Sequence, residues 1–248
     1  MRLRCQHLFS VAFLIFGAPL CRAADIEWTG WLGPDRNGWV DGFTPPNTWP
    51  TELSRRWRVN IGSGYGSPLV SGGRIYLHTR QGEDEVIRCI DLESGDEYWQ
   101  RRDPVPFKIG GGGERHGKGP KSCPVLADGR LFTLSITGTL SAWDANAGTR
   151  LWHRDYREEF AITQPYWGVS TSPIVKDGLV ILHVGNDERG VFVAIDAANG
   201  KEVWRHGKDG TSYSSPVIAS FNQTAQVVEW NHRALVGIAL KTGECLWD

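Results

Sequence analysis

Methionine is all but missing from this chain: Met1 is the single one in 248 residues. Cysteine is scarce, with five, of which Cys5 and Cys21 fall in the first 21 residues. Neither sign of charge dominates, since 27 Lys and Arg face 28 Asp and Glu for a formal net charge of −1. That balance removes the electrostatic case for nucleic acid or anionic lipid as a partner. Long apolar runs are also lacking. The longest, Leu8 to Leu20, has thirteen residues, short of the roughly 20 that a membrane-spanning helix needs. No stretch has the spacing of a long amphipathic helix. H-E-x-x-H, G-x-S-x-G and paired-cysteine motifs are absent. His78, His116, His153, His183, His206 and His232 show no metal-ligand spacing. His78 and His183 hold the same place in their strands, which reads as structural repetition.

The basic start Met1-Arg-Leu-Arg4, the short apolar run and the small residue ending Cys21-Arg-Ala23 have the form of a secretory signal peptide over residues 1–23. Pro19-Leu20 lacks the small residue that lipidation of Cys21 would need, so simple export to the periplasm or medium is expected. Cys89, Cys123 and Cys245 then remain. Three thiols allow at most one disulfide. Cys89 and Cys123 take the places of Ala and Ser in the repeats described next, so small buried thiols are expected.

What the chain does have is Trp, twelve of them, and Gly, thirty. Residues 194–204 read A-x-D-x-x-x-G-K-x-x-W, and the skeleton recurs. Asp91, Gly95 and Trp99 repeat it, as do Asp144, Gly148 and Trp152, then Asp196, Gly200 and Trp204. Gly243 and Trp247 make a fourth copy, with Ala239 in the Asp position. The tryptophans follow one another at 53, 52 and 43 residues, near the roughly 40–50-residue period of propeller blades. Asp at a strand end starts a turn by accepting a backbone N–H two residues on. Gly supplies positive φ, and Trp brings the largest apolar surface available.

A second series keeps step. Ser67-Pro68, Cys123-Pro124, Ser172-Pro173 and Ser215-Pro216 each precede a short apolar strand. Three of these strands run into a turn: Ser71-Gly72-Gly73, Ala127-Asp128-Gly129 and Lys176-Asp177-Gly178. Pro is tolerated at a strand start, and Asp-Gly signals a hairpin. Each unit therefore reads as four short strands, the propeller plan. The expected class is an all-β propeller of four-stranded antiparallel blades over 61–248, with units near 61–102, 120–155, 168–206 and 211–248.

The eleven-residue repeat resembles the tryptophan-docking motif of the PQQ-like propellers, a family that spans quinoprotein alcohol dehydrogenases and BamB-like assembly factors. Trp31-Leu-Gly-Pro-Asp-Arg-Asn-Gly38 is similar to the opening of secreted PQQ-like repeat proteins of planctomycete-type bacteria. The resemblance implies seven or eight blades, so four repeats suggest an open arc of about half a ring. A closed four-bladed ring or two paired half-rings are the alternatives. An open arc would leave a bare sheet for self-association. The resemblance also implies what a dehydrogenase would need: PQQ held between a vicinal Cys-Cys disulfide and a Trp, with Ca²⁺ and a catalytic Asp. This chain has no adjacent cysteines, and neither the calcium ligands nor the base can be placed. No cofactor and no catalytic residue is expected. The expected role is an exported binding or assembly scaffold for a protein or carbohydrate partner; the alternative is a PQQ- and Ca-dependent alcohol or sugar dehydrogenase, or the remnant of one.

Residues 24–60 are rich in Pro and Trp, so an extended arm lying across blade surfaces is expected. Trp57 to Ile61 looks like a strand entering the first blade. Gly112 to Lys118 matches G-x-x-x-x-G-K, but Gly119 stands where Ser or Thr is required and Pro120 and Pro124 forbid the following helix. The same linker carries Arg115, His116 and Lys118. Tyr166 and Trp167 precede the third Ser-Pro, and Tyr213 the fourth. These loops recur at one edge of successive units, so one face of the disc is the expected ligand surface.

Overall fold

The computed structural model describes residues 27–40, 43–109, 114–160 and 167–248. The leader at 1–23 and Tyr166 lie outside them. Sixteen strands build four sheets, each antiparallel and in chain order. Blade 1 holds β1 (Leu69–Ser71), β2 (Arg74–Gln81), β3 (Asp84–Asp91) and β4 (Glu97–Pro104). Blade 2 holds β5 (Val125–Ala127), β6 (Arg130–Leu134), β7 (Thr139–Asp144) and β8 (Arg150–Asp155). Blade 3 holds β9 (Ile174–Lys176), β10 (Leu179–Gly185), β11 (Gly190–Asp196) and β12 (Glu202–His206). Blade 4 holds β13 (Val217–Phe221), β14 (Thr224–Trp230), β15 (Leu235–Ala239) and β16 (Cys245–Trp247). A 3-10 turn, Glu114–His116, interrupts the first inter-blade connector.

The middle strands are buried on both faces, which is why they read as continuous β-branched runs and not as an alternation. Val180, Leu182, Val191 and Val193 of blade 3 pack on Phe132, Leu134 and Leu140 of blade 2. Ile181, Phe192 and Ala194 turn the other way, onto Val227, Val236 and Ile238 of blade 4. Between the first two blades, Tyr76, Ile87 and Cys89 meet Cys123, Leu131 and Trp143.

The tryptophans join these layers. Trp99 Nε1 donates to Ala145 O at 3.1 Å, Trp152 to Ala197 O at 3.1 Å and Trp204 to Leu240 O at 3.0 Å, each acceptor on the next blade. Each ring covers the glycine of that next blade's turn, where a Cβ on Gly148, Gly200 or Gly243 would fall 2.5, 2.7 or 2.8 Å from ring carbons. These glycines have φ between +67° and +73°, so both the space and the backbone call for Gly. The aspartates set the turn: Asp144 Oδ1 accepts from Asn146 N and Ala147 N, and Asp196 Oδ1 from Ala198 N and Asn199 N. Directly across the sheet from each Trp sits a small residue, Cys89, Ala142, Ala194 or Gly237. Burying one indole is worth about 4–6 kcal/mol gross, from roughly 150–250 Å² at about 25 cal/mol per Å².

Three hairpins are the two-residue turns expected, with positive φ at Gly72-Gly73, Asp128-Gly129 and Asp177-Gly178. The fourth is Asn222-Gln223, at φ 47° and 64°. Its sequence carries no Gly, and the strand pattern alone did not reveal it.

The arm takes a partly different course from the one expected. Only part of it lies on the blades: Trp31 and Trp57 pack there, while Trp39 and Trp49 are 74% and 61% exposed. Residues 28–36 run along the inner edge of the blades. Trp28 exchanges both backbone hydrogen bonds with Val70 of β1, at 2.7 and 3.0 Å, and Thr29 O accepts Leu126 N of β5 at 2.8 Å. The physical reason is that the inner strands β1 and β5 have an unpaired edge, and Trp28 and Thr29 supply partners for it. Trp57 belongs to no sheet among the described residues, yet it docks on blade 1 as the later tryptophans dock on theirs. Its Nε1 donates to Leu92 O at 3.0 Å and its ring covers Gly95.

Candidate functional site

The common strand order sorts the loops. The Asp-Gly docking turns and the β1–β2-type hairpins fall on one face of the disc, and the inter-blade connectors fall on the other. The docking residues are therefore on the face away from the ligand-loop candidates.

On the connector face, the segment leading into blade 1 and the three connectors that follow each contribute one ring. Tyr65 donates its hydroxyl hydrogen to His116 O. The His116 imidazole meets the Trp167 indole edge-on, with centroids 4.9 Å apart. Trp167 N donates to Tyr213 Oη at 3.2 Å. Tyr65 and Tyr213 are exposed, at 57% and 45%, and Lys121 Nζ lies 4.2 Å from the Tyr65 ring centroid. The structure thus brings His116, Trp167 and Tyr213 together. It places Arg115 beside them as an exposed cation. Lys118 is turned away, onto Glu83 at 3.2 Å, where it is the main cause of a lowered Glu83 carboxyl. Tyr65 was not singled out from the residues, although Tyr65 and Tyr213 share the pattern Tyr-x-Ser-Pro.

Behind this row, Arg36 of the arm reaches the inner strands. Its guanidinium donates to Pro216 O, to Ser172 O at 2.8 Å and to Pro173 O at 3.1 Å, the carbonyls of two Ser-Pro starts. Burial lowers Arg36 to about 10, opposed by Cys123 and Glu229, so it stays cationic at neutral pH. Sequence reasoning missed Arg36 because its partners lie 136, 137 and 180 residues away.

The blade interfaces hold two buried carboxylates. Glu85 is satisfied: Oε2 pairs with His78 Nε2 at 2.9 Å and Oε1 accepts Ile136 N of blade 2 at 2.9 Å. Glu229 has His183 Nδ1 at 3.5 Å, and among the described residues neither of its oxygens has a hydrogen-bond partner. Burial raises the Glu229 carboxyl, with His183 opposing.

These residues do not suit PQQ in the arrangement that the resemblance implies. Cys89 and Cys123 are separate buried thiols, each raised by burial, and Cys245 is exposed; all three are free. Among the described residues, no three His, Cys, Asp or Glu side chains are grouped to hold a metal ion.

Residues 83–248 match the sequence profile of the family described as outer membrane protein assembly factor BamB. The chain belongs to this PQQ-like β-propeller family. Within it, a quinohemoprotein alcohol dehydrogenase, ADH-IIG of Pseudomonas putida, is 26% identical over 74% of this chain and 26% of its own length. The assembly factor BamB of Burkholderia pseudomallei is 29% identical over 48% of this chain and 27% of its own. Among solved structures, BamB of Moraxella catarrhalis superposes with a TM-score of 0.53 at 18% identity, covering 77% of this chain and 50% of that one. The quinohemoprotein alcohol dehydrogenase of Comamonas testosteroni gives 0.55 at 20% identity, covering 75% and 34%. The chain spans about a quarter of the length of these two sequence relatives. The PQQ-like family thus includes both assembly factors and oxidoreductases on the same blades. No described helix is long and apolar enough to cross a membrane.

Proposed function

We propose that this chain is an exported, non-catalytic PQQ-like propeller that serves as a binding or assembly scaffold in the periplasm or outside the cell. Its connector face is the docking surface and a protein or glycan is the partner. One observation carries the reading: the row Tyr65, His116, Trp167, Tyr213, one ring from the lead-in to blade 1 and one from each of three connectors, partly exposed and mutually braced. Tyr and Trp present large rigid surfaces with polar tips, the composition of protein interfaces. The relatives named assembly factors favour the same reading, and the form of residues 1–23 favours export.

The test places a photo-reactive residue at Tyr213 in the source cell. Crosslinks to a defined envelope partner, lost in Trp167→Ala and absent from a probe at Val203, are expected. Dye-linked oxidation of alcohols or sugars by the purified chain with added PQQ and Ca²⁺ would overturn the reading in favour of a dehydrogenase.

A further inference from the structure

Between blades 1 and 2 lies a cavity of about 240 Å³, set among β2, β3, β4, β6, β7 and β8. We propose that it binds a neutral, polyhydroxylated ligand the size of one sugar ring. This rests on the binding-scaffold reading and names a chemistry for its glycan arm.

The wall is rich in hydroxyls: Thr133, Ser135, Thr139 and Ser141 all line it. Thr133 Oγ1 accepts from Trp143 Nε1, Ser135 Oγ bonds Thr137 Oγ1 and Thr139 Oγ1 donates to Asp155 Oδ1, and since a hydroxyl both donates and accepts, each keeps capacity for a ligand hydroxyl. The charges on the wall are already compensated. Asp103 is paired with Arg150 and Asp155 with Arg157, and both Glu85 oxygens are held by hydrogen bonds, from His78 Nε2 and Ile136 N. An ionic ligand would have to displace one of these pairs and leave a charge unmatched; a neutral one leaves them intact. His78 adds an independent sign of a ligand. It lines the cavity, its side chain is 2% exposed, Nε2 is held by Glu85, and Nδ1 has no partner among the described residues. Buried polar atoms are rarely left so, and a ligand hydroxyl would complete it.

The cavity is also prebuilt. Glu85 links β3 to Ile136 in the β6–β7 hairpin, which holds the two blades in register before anything binds. Ile87 and Val105 supply apolar wall for the C–H faces of a ring. The volume is below the roughly 300–1,000 Å³ of drug-sized sites, which suits one ring and not a chain. A cavity of about 280 Å³ lies against the equivalent His183 between blades 3 and 4, but no Ser or Thr lines it. It serves as an internal control.

The experiment is saturation-transfer NMR on the full chain with glucose, galactose, mannose, N-acetylglucosamine and glycerol as neutral probes and glucuronate and glucose 6-phosphate as charged ones. Transfer to at least one neutral sugar is expected, weakened about tenfold by Ser141→Val or Thr139→Val, the loss of one or two hydrogen bonds. His206→Ala, at the blade 3–4 cavity, should leave it unchanged. Thr139→Val carries the same test if Ser141→Val does not fold. Transfer to none of the probes, undiminished transfer in both variants, or stronger binding of glucuronate or glucose 6-phosphate would each overturn the proposal. Failure here leaves the connector-face reading standing. A sugar that binds here and is oxidised when PQQ and Ca²⁺ are added would instead sink the scaffold reading and keep the cavity.

Discussion

Trp204 and Trp247 hold the same place in consecutive copies of one repeat, four residues after a glycine at φ +73°. Their surroundings differ entirely. Trp204 is 7% exposed and leans onto blade 4, with its Nε1 on Leu240 O. Trp247 is 36% exposed and folds back on its own sheet, with Nε1 on Gln226 Oε1 at 2.7 Å and its ring over Gly237. Only Gly237, among the four residues opposite a Trp, lacks the Cβ that would block this fold-back. The motif therefore supplies an indole, and what packs against that indole decides what it does. At the other end of the array, Trp57 covers the turn of blade 1. Around blade 4, Trp230, Phe221 and Leu235 stay exposed.

The contrast between docked and undocked indoles makes the largest prediction. Trp204→Ala should cost about 3–5 kcal/mol in urea unfolding, while Trp247→Ala should cost less than about 1 kcal/mol. Similar losses for the two would mean that inter-blade docking is not what stabilises the array.

A second contrast sets Glu85 against Glu229. Glu229 is an acid raised by burial, so its protonated form is the one the fold favours. Its contribution is intact below the unfolded carboxyl value of about 4.3 and is lost as pH rises through the higher folded value. Glu229→Gln should remove that loss: the melting temperature should rise at pH 7 and change little at pH 4. Glu85→Gln should lower it at pH 7, because two good hydrogen bonds are disturbed. A stabilising Glu85→Gln would break the comparison.

The smallest effect belongs to the hairpins. Three turns have Gly as their second central residue, while the fourth forces Gln223 to φ 64°. Gln223→Gly should stabilise by roughly 0.5–1 kcal/mol, read in the same urea titration. Gly129→Gln, the reverse change, should destabilise by a similar amount.

The four blades were legible because their signals are local. Asp, Gly and Trp in each copy act within eight residues, and the Pro-start strands repeat with them. The arm was not legible, because Thr29 and Arg36 find partners on other blades, and nothing near Arg36 in the chain marks it. Trp57 was read as part of an entering strand and not as a docking residue, since no Asp-x-x-x-Gly precedes it. The connector candidates were half legible. Recurrence at one blade edge predicted that His116, Trp167 and Tyr213 would share a face, but Lys118 pairing with Glu83 and the part played by Tyr65 depend on how the connectors fold. The hydroxyl row of the blade 1–2 cavity comes from alternate positions on two strands, and only the register brings it together.

The most direct measurement is indole N–H hydrogen exchange, resolved by NMR residue by residue. Trp57, Trp99, Trp152 and Trp204 donate to backbone carbonyls of the following blade and should exchange slowly, with Trp39 and Trp49 fast. Indoles of Trp99, Trp152 and Trp204 that exchange as fast as that of Trp39 would contradict the docked array.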